Sequence, residues 1–194
     1  MPEIHEVRAH YDASTITVYQ AYSPLIARPA LAAQRFVPPF STERMTWIKP
    51  SFLWMMERSN WGQKSGQEMV LAVRIQRSGW DAALEQAELT SPSGSDSDWR
   101  SRFEASPVHV QWDPERSLRG EKLAWRSIQV GLSRRIIRQY VEDWTVEIVD
   151  LSPIVKKILG HCQAGRWDRA REALPRERVY PVVAATRKRL AMEG

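Results

Sequence analysis

The chain has one cysteine, Cys162, in 194 residues. An internal disulfide is therefore excluded, and a structural zinc site built on thiolates with it. The four histidines, His5, His10, His109 and His161, are scattered apart from the first pair, so no metal is expected. No apolar run approaches the roughly 18 residues a membrane-spanning helix needs, so no membrane partner is expected. The opening Met1-Pro-Glu-Ile-His-Glu6 lacks the basic start and apolar stretch of a secretory signal, and a cytoplasmic protein is the expectation. Also missing are G-x-G-x-x-G, G-x-x-x-x-G-K-[ST] and the G-x-S-x-G elbow; Gly62-Gln-Lys-Ser65 has the wrong spacing for a phosphate loop. Cys162, beside His161 after an apolar stripe, reads as an inert cysteine rather than a nucleophile.

What is present is concentrated in Arg44–Trp61. Eighteen residues there hold Trp47, Trp54 and Trp61, Met45, Met55 and Met56, and the cations Arg44, Lys49 and Arg58. Large apolar groups are costly to expose and cations are costly to bury unpaired. The segment therefore reads as a buried element whose cations emerge where positive charge is wanted. Net charge is +5, with nine Lys/Arg and nine Asp/Glu over residues 1–90 against nineteen and fourteen over 91–194. A basic second half suits RNA, DNA or a phosphorylated small molecule; a solvated mixed-charge surface is the plainer alternative.

Length and composition fit one domain over 1–194. Thr15–Tyr22 alternates as a strand, with Ile16, Val18, Gln20 and Tyr22 on one face. Ser23-Pro24 opens a helix that Pro29 should break or kink. Met45–Lys49 reads as a short strand, Lys49 being held extended by Pro50. Ser51 caps a buried helix over Phe52–Ser59. Met69–Ile75 is almost continuously apolar, as in a central strand covered on both faces. Arg77–Gly79 reads as a turn, followed by a helix with Trp80, Ala83, Leu84 and Ala87 on its apolar side. Residues 90–106 are read as an exposed, mobile polar loop. Strands over 108–112, 126–132 and 144–151 follow, with helices over 134–141, from Ser152, and over 165–174, and a basic tail at Arg187-Lys-Arg189. The mixture predicts an α+β fold, a split or curved mainly antiparallel sheet with flanking helices.

The candidate site residues are cations beside aromatics. Arg44, Lys49 and Arg58 can clamp phosphate, while Tyr19, Tyr22, Trp47 and Trp61 offer faces for a ring; the alternative is that Trp47 and Trp54 are core. Gln129, flanked by Ser127 and Gly131, is the other candidate, since glycine there would admit a ligand.

Several segments together closely resemble an uncharacterised domain-of-unknown-function family, number forty-two ninety-one. They are Arg8-x-x-Tyr11, Thr17-Val-Tyr-Gln-Ala-Tyr-Ser23, Arg44-Met-Thr-Trp-Ile-Lys-Pro-Ser-Phe-Leu-Trp-Met-Met56, Gln67-x-x-Val-Leu-Ala72, Gln111-Trp-Asp-Pro-Glu-Arg116 and Arg126-Ser-Ile-Gln129. That resemblance implies no reaction. The order of elements also looks like the ADP-ribosyltransferase superfamily and its RNA 2′-phosphotransferase relatives, which hold NAD between two small sheets. It implies an ADP-ribosyltransferase-like fold and an NAD-dependent transferase. Tyr19 or Gln20 would fill the first-strand slot, Trp47 to Ser51 the second and Gln129 the late strand, where glutamate is usual. Catalysis would then fall to Gln129, Tyr19 and Lys49, with Arg44, Trp47, Ser51, Arg58 and Gln20 holding NAD. Glutamine cannot serve as a general base. The expected partner is a nucleotide-like small molecule, with RNA or DNA as acceptor. Two other readings stand beside it: a non-catalytic nucleic-acid module contacting phosphate through Arg134, Arg135 and Arg138, and an interaction domain using its Trp/Met surface.

Overall fold

The computed structural model describes residues 4–92 and 96–192. In chain order the elements are β1 (Arg8–Ala9), β2 (Thr15–Tyr22), α1 (Pro24–Ala33), β3 (Thr46–Ile48), α2 (Phe52–Ser59), β4 (Met69–Gln76), α3 (Arg77–Glu85), β5 (Ala87–Leu89) and α4 (Trp99–Ala105). There follow β6 (Val108–Arg116), β7 (Lys122–Leu132), α5 (Ile137–Gln139), a π-helical turn (Tyr140–Trp144), β8 (Thr145–Asp150), α6 (Ser152–Gln163), α7 (Trp167–Glu172), β9 (Arg178–Val179) and α8 (Ala184–Arg189). The fold is α+β.

Two main sheets, ordered β2-β4-β8 and β3-β7-β6-β5, carry it, with β1 paired to β9. Pairing is antiparallel except for β5 on β6. The sheets meet at one bridge, where the Tyr19 N–H donates to the Lys49 carbonyl at 2.6 Å. Lys49 holds the extended backbone that Pro50 imposes and so can make that bridge.

Strand alternation sorts the core. Ile16, Val18, Leu71, Val73 and Ile75 join the main cluster with Ile48, Ile128, Val130 and Leu132. Tyr19, Val70 and Ala72 point the other way, against Phe52, Met55, Met56, Val155 and Ile158. β4 is thus apolar on both faces because both are covered, and its near-continuous apolar run follows.

Several local expectations are corrected. Of the break or kink expected at Pro29, the break does not occur: α1 runs through it, and the carbonyl that loses its partner belongs to Leu25, an exposed residue where solvent can satisfy it. Arg77–Gly79 forms the first turn of α3 rather than a free turn, and Ala87 begins β5 instead of closing the helix. Gly79 is required there because a Cβ would stand 2.4 Å from the Trp144 ring. The helix expected over 134–141 is a short α5 running into the π turn. Within the polar segment 90–106, residues 93–95 lie outside the described residues and Trp99–Ala105 is helical. The basic tail is docked: the Arg189 guanidinium donates to the carbonyls of Leu84 (2.8 Å) and Ala87 (3.2 Å), satisfying the end of α3, while Leu190 and Met192 are buried. Among the described residues no helix is long and apolar enough to cross a membrane.

Candidate functional site

A cleft of about 720 Å³ opens where the two main sheets diverge beyond the Tyr19–Lys49 bridge. It is the size of an ordinary small-molecule site. Gln20 of β2, Trp47 of β3, Lys49 just beyond β3, and Gln129 of β7 reach it from the sheets, Arg44 from the segment before β3 and Arg58 from α2. Tyr22 of β2 lines the cleft too, so seven of the candidate residues converge from distant parts of the chain.

Lys49 is the most constrained of them. The residue is 6% exposed, and its Nζ lies 4.4 Å from the centroid of Trp54. Burial pulls its pKa from 10.5 to about 7; Asp113 opposes that pull and Arg58 adds to it. Trp54 and Arg58 stand one helical turn apart on α2, on the side away from Phe52, Met55 and Met56, and both line the cleft. Arg44 and Arg58 are exposed and form no ion pair among the described residues. Three basic side chains thus face one carboxylate, Asp113, in a cleft with tryptophan walls.

Asp113 is the residue the candidate set lacked. Gln111 and Gln129 are paired across β6 and β7. Their side-chain amides donate to the two Asp113 oxygens at 2.9 and 2.7 Å. Strand alternation puts Gln111 and Asp113 on one face, so Gln111-x-Asp113 was the available signal; it identifies nothing until β7 supplies Gln129.

Gln20 lies in the wall of the cleft, 3% exposed, with its capacity used internally. Its Oε1 accepts from the buried Tyr140 hydroxyl at 2.6 Å, and its Nε2 donates to Tyr22, Thr46 and the Trp47 carbonyl at 2.8, 2.9 and 3.2 Å. It clamps β2 to β3. Burial raises Tyr22, in the same network, to about 12.

Three expected residues do not reach the cleft: Tyr19, Ser51 and Trp61, the last packed edge-on to Phe52 with ring centroids 6.5 Å apart. Tyr19 is 1% exposed, edge-on to Phe52 in the smaller core. It lies on the opposite face of β2 from Gln20, and burial raises its pKa well above 10. Ser51 is 1% exposed and caps α2 by accepting from the Trp54 N–H at 3.2 Å. Gly131 also departs from expectation: the space beside its backbone is filled by Met45 and the Trp47 ring, whose atoms come within 2.8 and 2.9 Å of where a Cβ would lie.

The remaining candidates are elsewhere. Arg134 is exposed; the Arg135 guanidinium donates to the carbonyls of Glu104 and Ser106, and Arg138 pairs with Glu43 at 3.7 Å. In the Trp/Met segment Met55 and Met56 are 4% and 1% exposed, whereas Met45, Trp47, Trp54 and Trp61 are half-buried. Cys162 is half-buried, and its thiol pKa is raised by burial. Among the described residues no group of three or more His, Cys, Asp or Glu could hold a metal ion.

No curated protein matches the chain. The profile of a family described as "Domain of unknown function (DUF4291)" matches residues 6–180, most of its length, and the chain belongs to that family.

Proposed function

We propose that the cleft binds NAD or a closely related dinucleotide and that the protein is an ADP-ribosyltransferase-like transferase. The observation that carries this reading is the convergence of Gln20, Trp47, Lys49 and Gln129, from strands of two small sheets, on one cleft with unpaired Arg44 and Arg58 at its wall. Those are the three strand slots through which the superfamily resemblance expects NAD to be held.

The roles follow from chemistry. Arg44 and Arg58 neutralise the pyrophosphate, arginine being suited to paired phosphate oxygens. Trp47 stacks on a ring. Gln129 does not act as the usual glutamate; it orients Asp113, whose carboxylate accepts from a ribose hydroxyl and steadies the positive charge that develops at the sugar. In the transfer step the bond from ribose C1′ to nicotinamide breaks and the nicotinamide leaves as a neutral base. A bond from C1′ to the acceptor forms, and the acceptor's proton passes to the neutral amine of Lys49. A base near neutrality is matched to that task. The acceptor is an RNA, a DNA or another nucleophile.

The test is a thermal-shift series with NAD, ADP-ribose, ATP and short RNA at low and moderate salt. Ligand that binds only the folded state raises the melting temperature. A salt-resistant rise with NAD or ADP-ribose, lost in Arg44→Ala/Arg58→Ala, is expected. A rise with RNA alone that vanishes with salt would sink the transferase reading in favour of a binding module.

A further inference from the structure

Six lysines occur in the chain, and five of them, Lys64, Lys122, Lys156, Lys157 and Lys188, are exposed. Lys49 differs from them in burial and in what its amine touches. It is 6% exposed, and its Nζ rests on the Trp54 ring instead of against a carboxylate. Among the described residues it forms no ion pair. Burial, opposed by Asp113 and reinforced by Arg58, disfavours the ammonium and leaves a lone pair on Nζ in part of the molecules near neutral pH. Yet the amine is not sealed in the core, since it lines a cleft wide enough for a small molecule. The exposed guanidiniums of Arg44 and Arg58 line that cleft too, and Asp113 stands there with both oxygens oriented by Gln111 and Gln129.

A buried amine that is free to react, guanidiniums to hold an anion and a fixed carboxylate to move a proton form a recognisable combination. We propose that Lys49 is a carbonyl-capturing amine that condenses with the aldehyde of a phosphorylated small molecule, such as an open-chain sugar phosphate, held by Arg44 and Arg58. Nζ attacks the carbonyl carbon, and the π pair moves to oxygen. The carbonyl oxygen gains a proton and Nζ loses one, giving a carbinolamine. Protonation of its hydroxyl then releases water as the C=N bond forms. Amine and aldehyde become imine and water, with no oxidation or reduction. Asp113 is the proton carrier in both halves: it takes one proton from nitrogen and gives it to the alkoxide, then gives a second to the departing hydroxyl and recovers it from the iminium nitrogen as the neutral imine forms.

The inference uses the same cleft and cations as the function proposed above, but it does not need NAD as the ligand. The two can therefore fail separately. Pyridoxal 5′-phosphate is a suitable probe because it joins an aldehyde to a phosphate, and its imine absorbs in the visible. The full chain is incubated with the probe at pH 7, reduced with borohydride, digested and mapped by mass spectrometry. Trapping should fall mainly on Lys49, with a yield about tenfold or more above any exposed lysine, because burial favours its neutral, nucleophilic amine. Inorganic pyrophosphate should compete with it, and pyridoxal without phosphate should label it less. Lys49→Arg should abolish the labelling while near-ultraviolet circular dichroism stays unchanged. If that variant misfolds, the peptide map of the unaltered chain decides alone. Labelling spread evenly over the exposed lysines, or none at Lys49 by pH 8, would overturn the proposal. Labelling at Lys49 with no thermal shift from NAD would keep this inference and remove the dinucleotide reading. A shift from NAD without labelling would do the reverse.

Discussion

Replacing Lys49 with methionine should stabilise the protein, and by an amount that depends on pH. Burial holds the folded-state pKa of Lys49 at about 7 against 10.5 ordinarily. Between those values the unfolded chain binds a proton that the folded chain does not. This group's contribution to stability is therefore present above about pH 10.5 and is lost as pH falls through the folded value near 7. The full difference corresponds to about 5 kcal/mol. Methionine has similar length, keeps an apolar contact with Trp54 and carries no proton, so Lys49→Met should be more stable by about 5 kcal/mol at pH 6 and about 2 kcal/mol at pH 9. Movement of the ammonium toward the cleft would lower both figures, so the slope is the test. For a chain of this size each kcal/mol is worth about 2–4 °C, which makes the gain about 10–20 °C at pH 6. The assay is urea unfolding of both proteins at pH 6, 7.5 and 9 at one ionic strength. Glu177 and the buried tyrosines titrate in both proteins and cancel in the difference. A gain that is equal at pH 6 and 9, or a variant less stable than the parent throughout, would refute the assignment of a strained amine. The same variant should lose aldehyde trapping, so stability and reactivity should move in opposite directions.

The other predictions concern the frame of the site. Tyr140→Phe removes the hydroxyl that Gln20 Oε1 accepts from; leaving that buried oxygen unpaired should cost about 1–3 kcal/mol in denaturant unfolding, and no loss would show the clamp to be dispensable. Gly79→Ala puts a methyl 2.4–2.6 Å from ring atoms of Trp144; overpacking should cost about 1–3 kcal/mol, with near-ultraviolet circular dichroism reporting the displaced indole. Glu177 accepts from the Phe52 N–H at 2.7 Å and is raised from 4.5 to about 8, first by burial and then by Glu115. The folded chain thus holds a proton that the unfolded chain releases, and the stability this confers is complete below about pH 4.5 and lost as pH rises through 8. Glu177→Gln should match the parent near pH 5 and exceed its melting temperature at pH 9; a constant difference would contradict the raised value.

Local pattern alone determined most of the element set and pointed to part of the candidate site. Alternation in Thr15–Tyr22 assigned Ile16, Val18 and Gln20 to one face, and the continuous apolar run of β4 marked a strand covered on both sides. Pro50 and Ser51 together announced the end of β3 and the start of α2. Each of these depends on neighbours within a few residues, so one strand or one turn contains the information. The cations of Arg44–Arg58 were legible for a related reason: a charge inside an apolar segment has few places to go. Where local signals failed, a distant group had overruled them. Gly79 looked like a turn but supplies space for Trp144, and Gly131 looked like an opening but is filled by Met45 and Trp47. Tyr19 looked like a stacking surface and is core, because α2 covers that face of β2. Only the tertiary structure could join Gln129 and Gln111 on one carboxylate, or bury Lys49 between α2 and the two sheets. A sequence lists which side chains can hydrogen-bond or titrate. Which partners they find, and how much water they lose, depends on segments dozens of residues away, and those two quantities give Asp113 and Lys49 their chemistry.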